Sequence, residues 1–150
     1  MIGIANLQLP ATVQSALDTL QTAIDSLPRI PDRVTAAKQQ FESENRTSNN
    51  TFKEIKVVLT NMCAGARRCM YCEDSVADEV EHIKPKNLYP EEVFVWLNYL
   101  YACGPCNGPK QDKFAVYSAA SGRHTNVTRR KKSGRDTSHA WHNCSHQSSQ

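Results

Sequence analysis

The sequence predicts an α+β chain: helices in its first third, then a small β-β-α unit closed by a four-cysteine zinc site, then a basic, polar tail expected to be disordered. Three observations carry this reading. Two Cys-x-x-Cys pairs, Cys69/Cys72 and Cys103/Cys106, bracket a foldable insert. Apolar residues near the start recur at alternating steps of four and three. Positive charge is gathered late: residues 1–120 hold 12 Lys and Arg against 14 Asp and Glu, whereas residues 121–136 hold Arg123, Arg129, Arg130, Lys131, Lys132 and Arg135 against Asp136 alone.

The length of 150 residues suits one domain with an appended arm, and a hydrophobic share of 39% leaves room for only a modest core. The expected division is a helical arm over 1–50, the zinc-closed unit over 51–117 and the tail over 118–150. No stretch approaches the roughly 20 apolar residues of a membrane span, and the start lacks a basic segment leading into an apolar one. A cytoplasmic protein with no membrane contact is the expectation. The Asn-x-Ser/Thr triplets at Asn45, Asn49, Asn126 and Asn143 then carry no glycosylation meaning.

Along residues 11–27, Val13, Leu17, Leu20, Ile24 and Leu27 fall on one helical face, with Pro28 and Pro31 as the stop. The stripe packs either on its own domain or in the groove of a partner. A second, more polar helix is expected from an Asp32 cap to Glu44, followed by a loop over 45–50. Thr51 would cap a third helix carrying Ile55, Val58, Leu59 and Met62 and stopped by Gly65. Its β-branched content makes a strand the competing reading for 55–59.

Between the cysteine pairs, Ala77–Ile83 and Asn98–Ala102 read as strands, with a loop between Pro85 and Pro90. Glu91–Trp96 is a short helical turn or the lead-in to the second strand. A short helix follows Cys106. Two close thiolate pairs each close a small loop on a tetrahedral metal, and the metal closes the large one. Two disulfides or buried free thiols are the alternative, but nothing else in the sequence suggests the oxidising compartment that disulfides need. Such a small unit rarely folds without its metal.

The order Cys-x-x-Cys, acidic-His-Ile-x-Pro, then Asn-x-Leu-x-x-Cys-x-x-Cys-Asn-x-x-Lys resembles the HNH endonucleases, in the zinc-stapled branch whose third motif residue is Asn. More narrowly, Cys69–Glu73, Glu81–Lys86, Tyr89-Pro90, Phe94 with Trp96 and Asn98, and Cys106-Asn107 with Lys110, Asp112, Lys113 and Phe114 resemble the small HNH proteins of Septu-type and retron-associated antiphage systems. The resemblance covers about 45 residues. It implies a ββα-metal nuclease in which His82 is the general base, Glu81 and Asn107 hold the catalytic metal, and Asn98 holds the loop that aims the base. It also implies an ATPase partner that gates cleavage. Glu81 stands where Asp is commoner, and Asn107 is a neutral ligand in place of imidazole. A carboxylate with an amide oxygen favours a hard cation, Mg²⁺ or Mn²⁺, at this second site.

The residues support the same chemistry by themselves. Phosphodiester hydrolysis needs a base near pH 7 and a cation to hold the developing charge. His82 has the intrinsic pKa, and Glu81 beside it supplies an anionic ligand. Adjacent strand residues point to opposite faces, so a bulge or the strand's end must let both reach one site, and Pro85 makes a strand ending near His82 plausible.

Lys84, Lys86, Lys110 and Lys113 are the candidate phosphate contacts on DNA, with Arg67 and Arg68 in the same role or as plain solvated charges. Tyr89, Trp96 and Tyr99 are candidates for stacking on bases, Trp96 being better read as core. Cys63 and Cys144 read as plain thiols. His139, His142, Cys144 and His146 offer metal ligands without a packed scaffold. Two functions follow: a metal-dependent DNA endonuclease, or a non-catalytic zinc-stapled nucleic-acid-binding or adaptor module. The ordered set Glu81, His82, Asn98 and Asn107 separates them, because a binding module has no reason to carry it.

Overall fold

A computed structural model of the chain describes residues 7–63, 67–74 and 76–128. Helix α1 spans Ala11–Asp25, as the apolar spacing predicts, and ends two residues before Leu27. Arg33 closes its C-terminus, donating from Nε to the Leu27 carbonyl (2.6 Å) and from Nη2 to the Asp25 carbonyl (2.7 Å). A cation placed there satisfies orphan carbonyls and the negative end of the helix dipole. Val13, Leu17 and Ile24 are buried and Leu20 packs against them. The stripe is core of its own unit, so it is not a face left open for a partner's groove.

Helix α2 spans Ile30–Glu44 with Arg29 at its N-cap and Pro31 inside the first turn. This corrects the Asp32 cap and the stop at Pro31. A first turn has N–H groups without intrahelical partners, so proline loses nothing there. Helix α3 spans Asn50–Met62 and is capped by Asn49, whose Oδ1 accepts from the Phe52 amide at 3.3 Å, not by Thr51. The helical reading of Ile55–Leu59 holds, with Phe52, Ile55 and Leu59 buried on one face. The stop at Gly65 lies outside the described residues.

Strand β1, Glu79–His82, pairs antiparallel with β2, Tyr99–Ala102, in the register Glu79 to Ala102 and His82 to Tyr99. Both are shorter than predicted: Asn98 belongs to a 3₁₀ turn, Trp96–Asn98, and a second such turn covers Pro90–Glu92. Helix α4, Gly104–Lys110, begins directly after Cys103, earlier than the start after Cys106 that the sequence suggested. A β-β-α order results. Helices α1 and α2 pack on the Pro90–Glu92 turn, α3 on β2, and α4 on β1. The helical segment is therefore no separate arm; it belongs to one unit with the sheet, and that unit ends at Asp112.

The second unit begins at Lys113. Its strands β3, Ala115–Ser118, and β4, Arg123–Asn126, form an antiparallel hairpin. The disorder expected from residue 118 is corrected as far as 128. Gly122 turns the chain at φ +63 and its amide donates to the Ser118 carbonyl at 2.8 Å, while the Tyr117 and His124 rings meet across the pair at 5.1 Å. The cluster Arg129, Arg130, Lys131, Lys132 and Arg135, and the ligand set His139, His142, Cys144 and His146, lie outside the described residues.

Leu17 is fully enclosed in the helical core. Leu17→Ala is expected to lower the unfolding free energy by about 2–5 kcal/mol, read as a fall in the urea midpoint at unchanged m-value. A change under about 0.5 kcal/mol would mean that the stripe is not core.

Candidate functional site

The first cysteine pair lies in a loop closed by an antiparallel bridge between Arg68 and Val76, and by the Ala77 amide donating to the Arg67 carbonyl at 2.8 Å. Arg68 is exposed, and its Nη1 donates to the Glu73 carbonyl at 2.9 Å, bracing this loop. The second pair straddles the β2–α4 junction, where the Cys106 and Asn107 amides donate to the Cys103 carbonyl. Sγ atoms of Cys69, Cys72, Cys103 and Cys106 lie within 4.8 Å of one another, and Cys72 and Cys103 are 3.9 Å apart. Tetrahedral zinc with 2.3 Å bonds requires sulfur separations of about 3.8 Å, so the four thiols fit that ion. The amides of Tyr71 and Cys103 donate to Cys69 Sγ at 3.4 and 3.3 Å, which fixes that sulfur in the cluster. Burial pushes the Cys103 and Cys106 thiols upward, so a bound cation is what would ionise them. Cys63 stands apart, its Sγ on the Leu59 carbonyl at 3.2 Å.

His82 ends β1 and its ring is buried. Nε2 lies 2.9 Å from the Val93 carbonyl oxygen. A carbonyl only accepts, so Nε2 carries the proton and Nδ1 carries the lone pair. Phe41 of α2 meets the ring edge-on at 4.4 Å and Tyr99 does so at 5.2 Å. Burial first, then the nearby Lys86 charge, lowers the His82 pKa from 6.5 to about 3, against the Val93 bond, which raises it. The ring is neutral at pH 7. Asn98 ties the following loop at both ends: Oδ1 accepts from the Lys84 amide at 2.7 Å, and Nδ2 donates to the carbonyls of Lys84 (3.1 Å) and Glu92 (2.8 Å).

An open groove of about 600 Å³ is lined by Glu81, His82, Lys86 and Asn107, and also by Glu79, Glu42, Asp112, Lys38 and Phe41. Glu81 and Asn107 line it together, but each has another partner. Lys110 Nζ donates to Glu81 Oε1 and to the His82 carbonyl, both at 2.7 Å, and Asn107 Nδ2 donates to Glu79 Oε2 at 2.6 Å. Glu79 was missed in the sequence; its signal was the two-residue strand step that places it on the face of Glu81. Among the described residues, Asn45 Oδ1 is the one buried side-chain polar atom without a hydrogen bond, and Asn45 also lines the groove. The four carboxylates of the lining outnumber its two ammonium groups.

The lysines differ from expectation. Lys84 pairs with Glu92 and lies 5.7 Å over the Tyr89 ring. Lys86 Nζ lies 3.4 Å from His82 Nδ1 and 4.6 Å over the Phe41 ring, and burial lowers its pKa. Lys110 is mostly buried against Glu81. Charges engaged inside the molecule are not simple phosphate contacts. Lys113 belongs to the second unit, and Arg67 is exposed. Tyr99 cannot stack on bases: it is buried, and its hydroxyl donates to the Val93 carbonyl at 2.9 Å. Trp96 is core, as read, with Nε1 donating to the Leu7 carbonyl at 2.9 Å. Among the described residues no helix is long and apolar enough to cross a membrane.

The chain is similar to the Septu protein PtuB of Bacillus thuringiensis, 43% identical over 61 residues, which are 37% of this chain and 23% of that relative. The chain thus matches less than a quarter of the relative's length. No family model matches, and no solved structure does.

Metal analysis is expected to find one tightly held zinc per chain. Any single Cys→Ser change at 69, 72, 103 or 106 should release it and unfold the β-β-α unit, since such sites contribute about 10 kcal/mol or more. Disulfides among these four in native protein would overturn this assignment.

Proposed function

We propose that the chain is a metal-dependent endonuclease of the HNH type that hydrolyses DNA phosphodiester bonds within a Septu-like antiphage defence complex. The observation that carries the catalytic part is the state of His82: neutral, with Nε2 fixed on the Val93 carbonyl and the Nδ1 lone pair beside a groove lined by Glu81 and Asn107. The likeness to a Septu protein supports the defence role. With the α1 stripe used as core, the ATPase partner rests on the resemblance of the motifs alone.

His82 takes the proton of the attacking water at Nδ1. A ring titrating near 3 is a weak base, but Lys86 is the second cause of that low value. An anionic phosphate arriving in the groove draws Lys86 toward itself and strengthens the base. Asn98 keeps the loop that carries Lys84 and Lys86 closed on the sheet, which preserves that geometry.

The donor set of Glu81 and the Asn107 amide oxygen, with Glu79 close by, is all oxygen and suits a hard divalent cation. Lys110 Nζ already lies on Glu81 Oε1 and the His82 carbonyl, so these oxygens attract a cation. Bound there, Mg²⁺ or Mn²⁺ would stabilise the charge on the phosphate and the leaving oxygen. The acid excess of the lining supports the same reading, because a phosphodiester approaches four carboxylates poorly without a counter-cation. A purely binding role gains nothing from this arrangement.

Supercoiled plasmid incubated with Mg²⁺ or Mn²⁺, with and without EDTA, and with and without the co-expressed ATPase, tests the activity. His82→Ala is expected to reduce cleavage by about a hundredfold or more at unchanged zinc content and DNA affinity. Cleavage within about tenfold of the parent would remove His82 from the base role.

A further inference from the structure

Gln21 is the polar exception on the apolar face of α1, one helical turn after Leu17, and it is buried to 9% exposure. An apolar side chain of equal volume would suit that stripe, since a buried amide must find partners for both ends. Gln21 finds them in Pro90, which opens the first 3₁₀ turn, and in Phe94, just beyond it. Its Oε1 accepts from the Phe94 amide at 2.8 Å, and its Nε2 donates to the Pro90 carbonyl at 3.2 Å. A further bond from Nε2 to Asp25 Oδ1 at 3.1 Å sets the same orientation of the side-chain amide.

The Phe94 N–H and the Val93 C=O are two ends of one peptide unit. A trans peptide is planar with these groups pointing in opposite directions, so holding the N–H aims the carbonyl. That carbonyl receives both His82 Nε2 and the Tyr99 hydroxyl, each at 2.9 Å, which uses its two lone pairs. Donation from the N–H to Gln21 also polarises the peptide and strengthens its carbonyl as an acceptor.

We infer that Gln21 is a positioning residue for His82: through the Val93–Phe94 peptide it fixes the ring in its Nε2–H tautomer and keeps the Nδ1 lone pair turned to the groove. The inference rests on His82 being the base, but the tautomer can be read without any cleavage. The first helix then has a task in the chemistry as well as in the core. Phe41 and Tyr99 restrict the ring's tilt, and Gln21 decides which nitrogen holds the proton.

Imidazole ¹⁵N spectra of the full-length zinc-loaded chain at neutral pH, with His82→Ala used to assign the signals, provide the test. The parent protein is expected to show one His82 tautomer, protonated at Nε2. Gln21→Met, close in size but without the hydrogen bonds, is expected to give mixed tautomers at unchanged zinc content. Its kcat for plasmid cleavage should fall at least about tenfold with KM within about twofold. Gln21→Glu keeps the acceptor for the Phe94 amide and should stay closer to the parent in both readouts. A parent ring protonated at Nδ1 would overturn the inference whatever the variants do. So would a Gln21→Met protein with a single Nε2–H tautomer and full kcat, or loss of zinc and fold in both variants, which would make Gln21 a core residue only. If His82→Ala still cleaves while the tautomer shifts as expected, the base role of His82 fails and the positioning of the ring stands.

Discussion

Four sulfur atoms converge where two distant stretches of the chain must meet to complete the β-β-α segment. Its sheet has two strands of four residues each, and a two-stranded ribbon of that length is marginal in water. The Cys69–Cys72 loop and the β2–α4 junction lie 31 or more residues apart in the chain, and their thiols converge within 4.8 Å. Zinc fits this tetrahedron, and a metal that binds only the folded arrangement stabilises it by its binding free energy. The orientation of α4 depends on the same junction, and with it the positions of Asn107 and Lys110 next to β1.

The second support is the helical layer. α1, α2 and α3 enclose the other side of the sheet and the 3₁₀ turns, with Leu17, Ile24, Phe52, Ile55 and Leu59 at the centre. Phe41 shows how closely core and groove are joined. Its ring meets Phe52 at 5.6 Å, His82 at 4.4 Å and the Lys86 ammonium at 4.6 Å. A residue of the second helix thus packs the core with one partner and borders the groove with two others. Removing the helices would expose the His82 ring and lift the burial that lowers its pKa.

Charge in the groove is arranged in pairs that cross between elements. Glu81 of β1 meets Lys110 of α4, Glu79 of β1 meets Asn107 of α4, and Asn87 donates to Asp112 at 2.5 Å. Mostly buried pairs of this kind add little net stability, because desolvation offsets their attraction. Their consequence here is geometric: they fix the side chains of β1 and α4 against one another beside the open cleft.

The sequence by itself determined the parts governed by local spacing. Cysteine pairs at x-x intervals and the four-three recurrence from Val13 to Ile24 each impose geometry within a few residues, and the thiol cluster and the first helix are found where those spacings put them, while the strand pair falls within the predicted stretches but is shorter. Only the tertiary structure decided which long-range partner each polar side chain takes. Gln21 reads as a flaw in an apolar stripe until the Phe94 amide, 73 residues away, comes opposite it. Lys84, Lys86 and Lys110 read as surface cations until Glu92, His82 and Glu81 claim them, and the weak polar run after Tyr117 forms a hairpin because cross-strand pairing supplies what composition alone does not. The physical reason is common to all of these. Periodicity records which face of an element is buried, whereas hydrogen bonds and ion pairs depend on atoms that the chain brings together only after the core has closed.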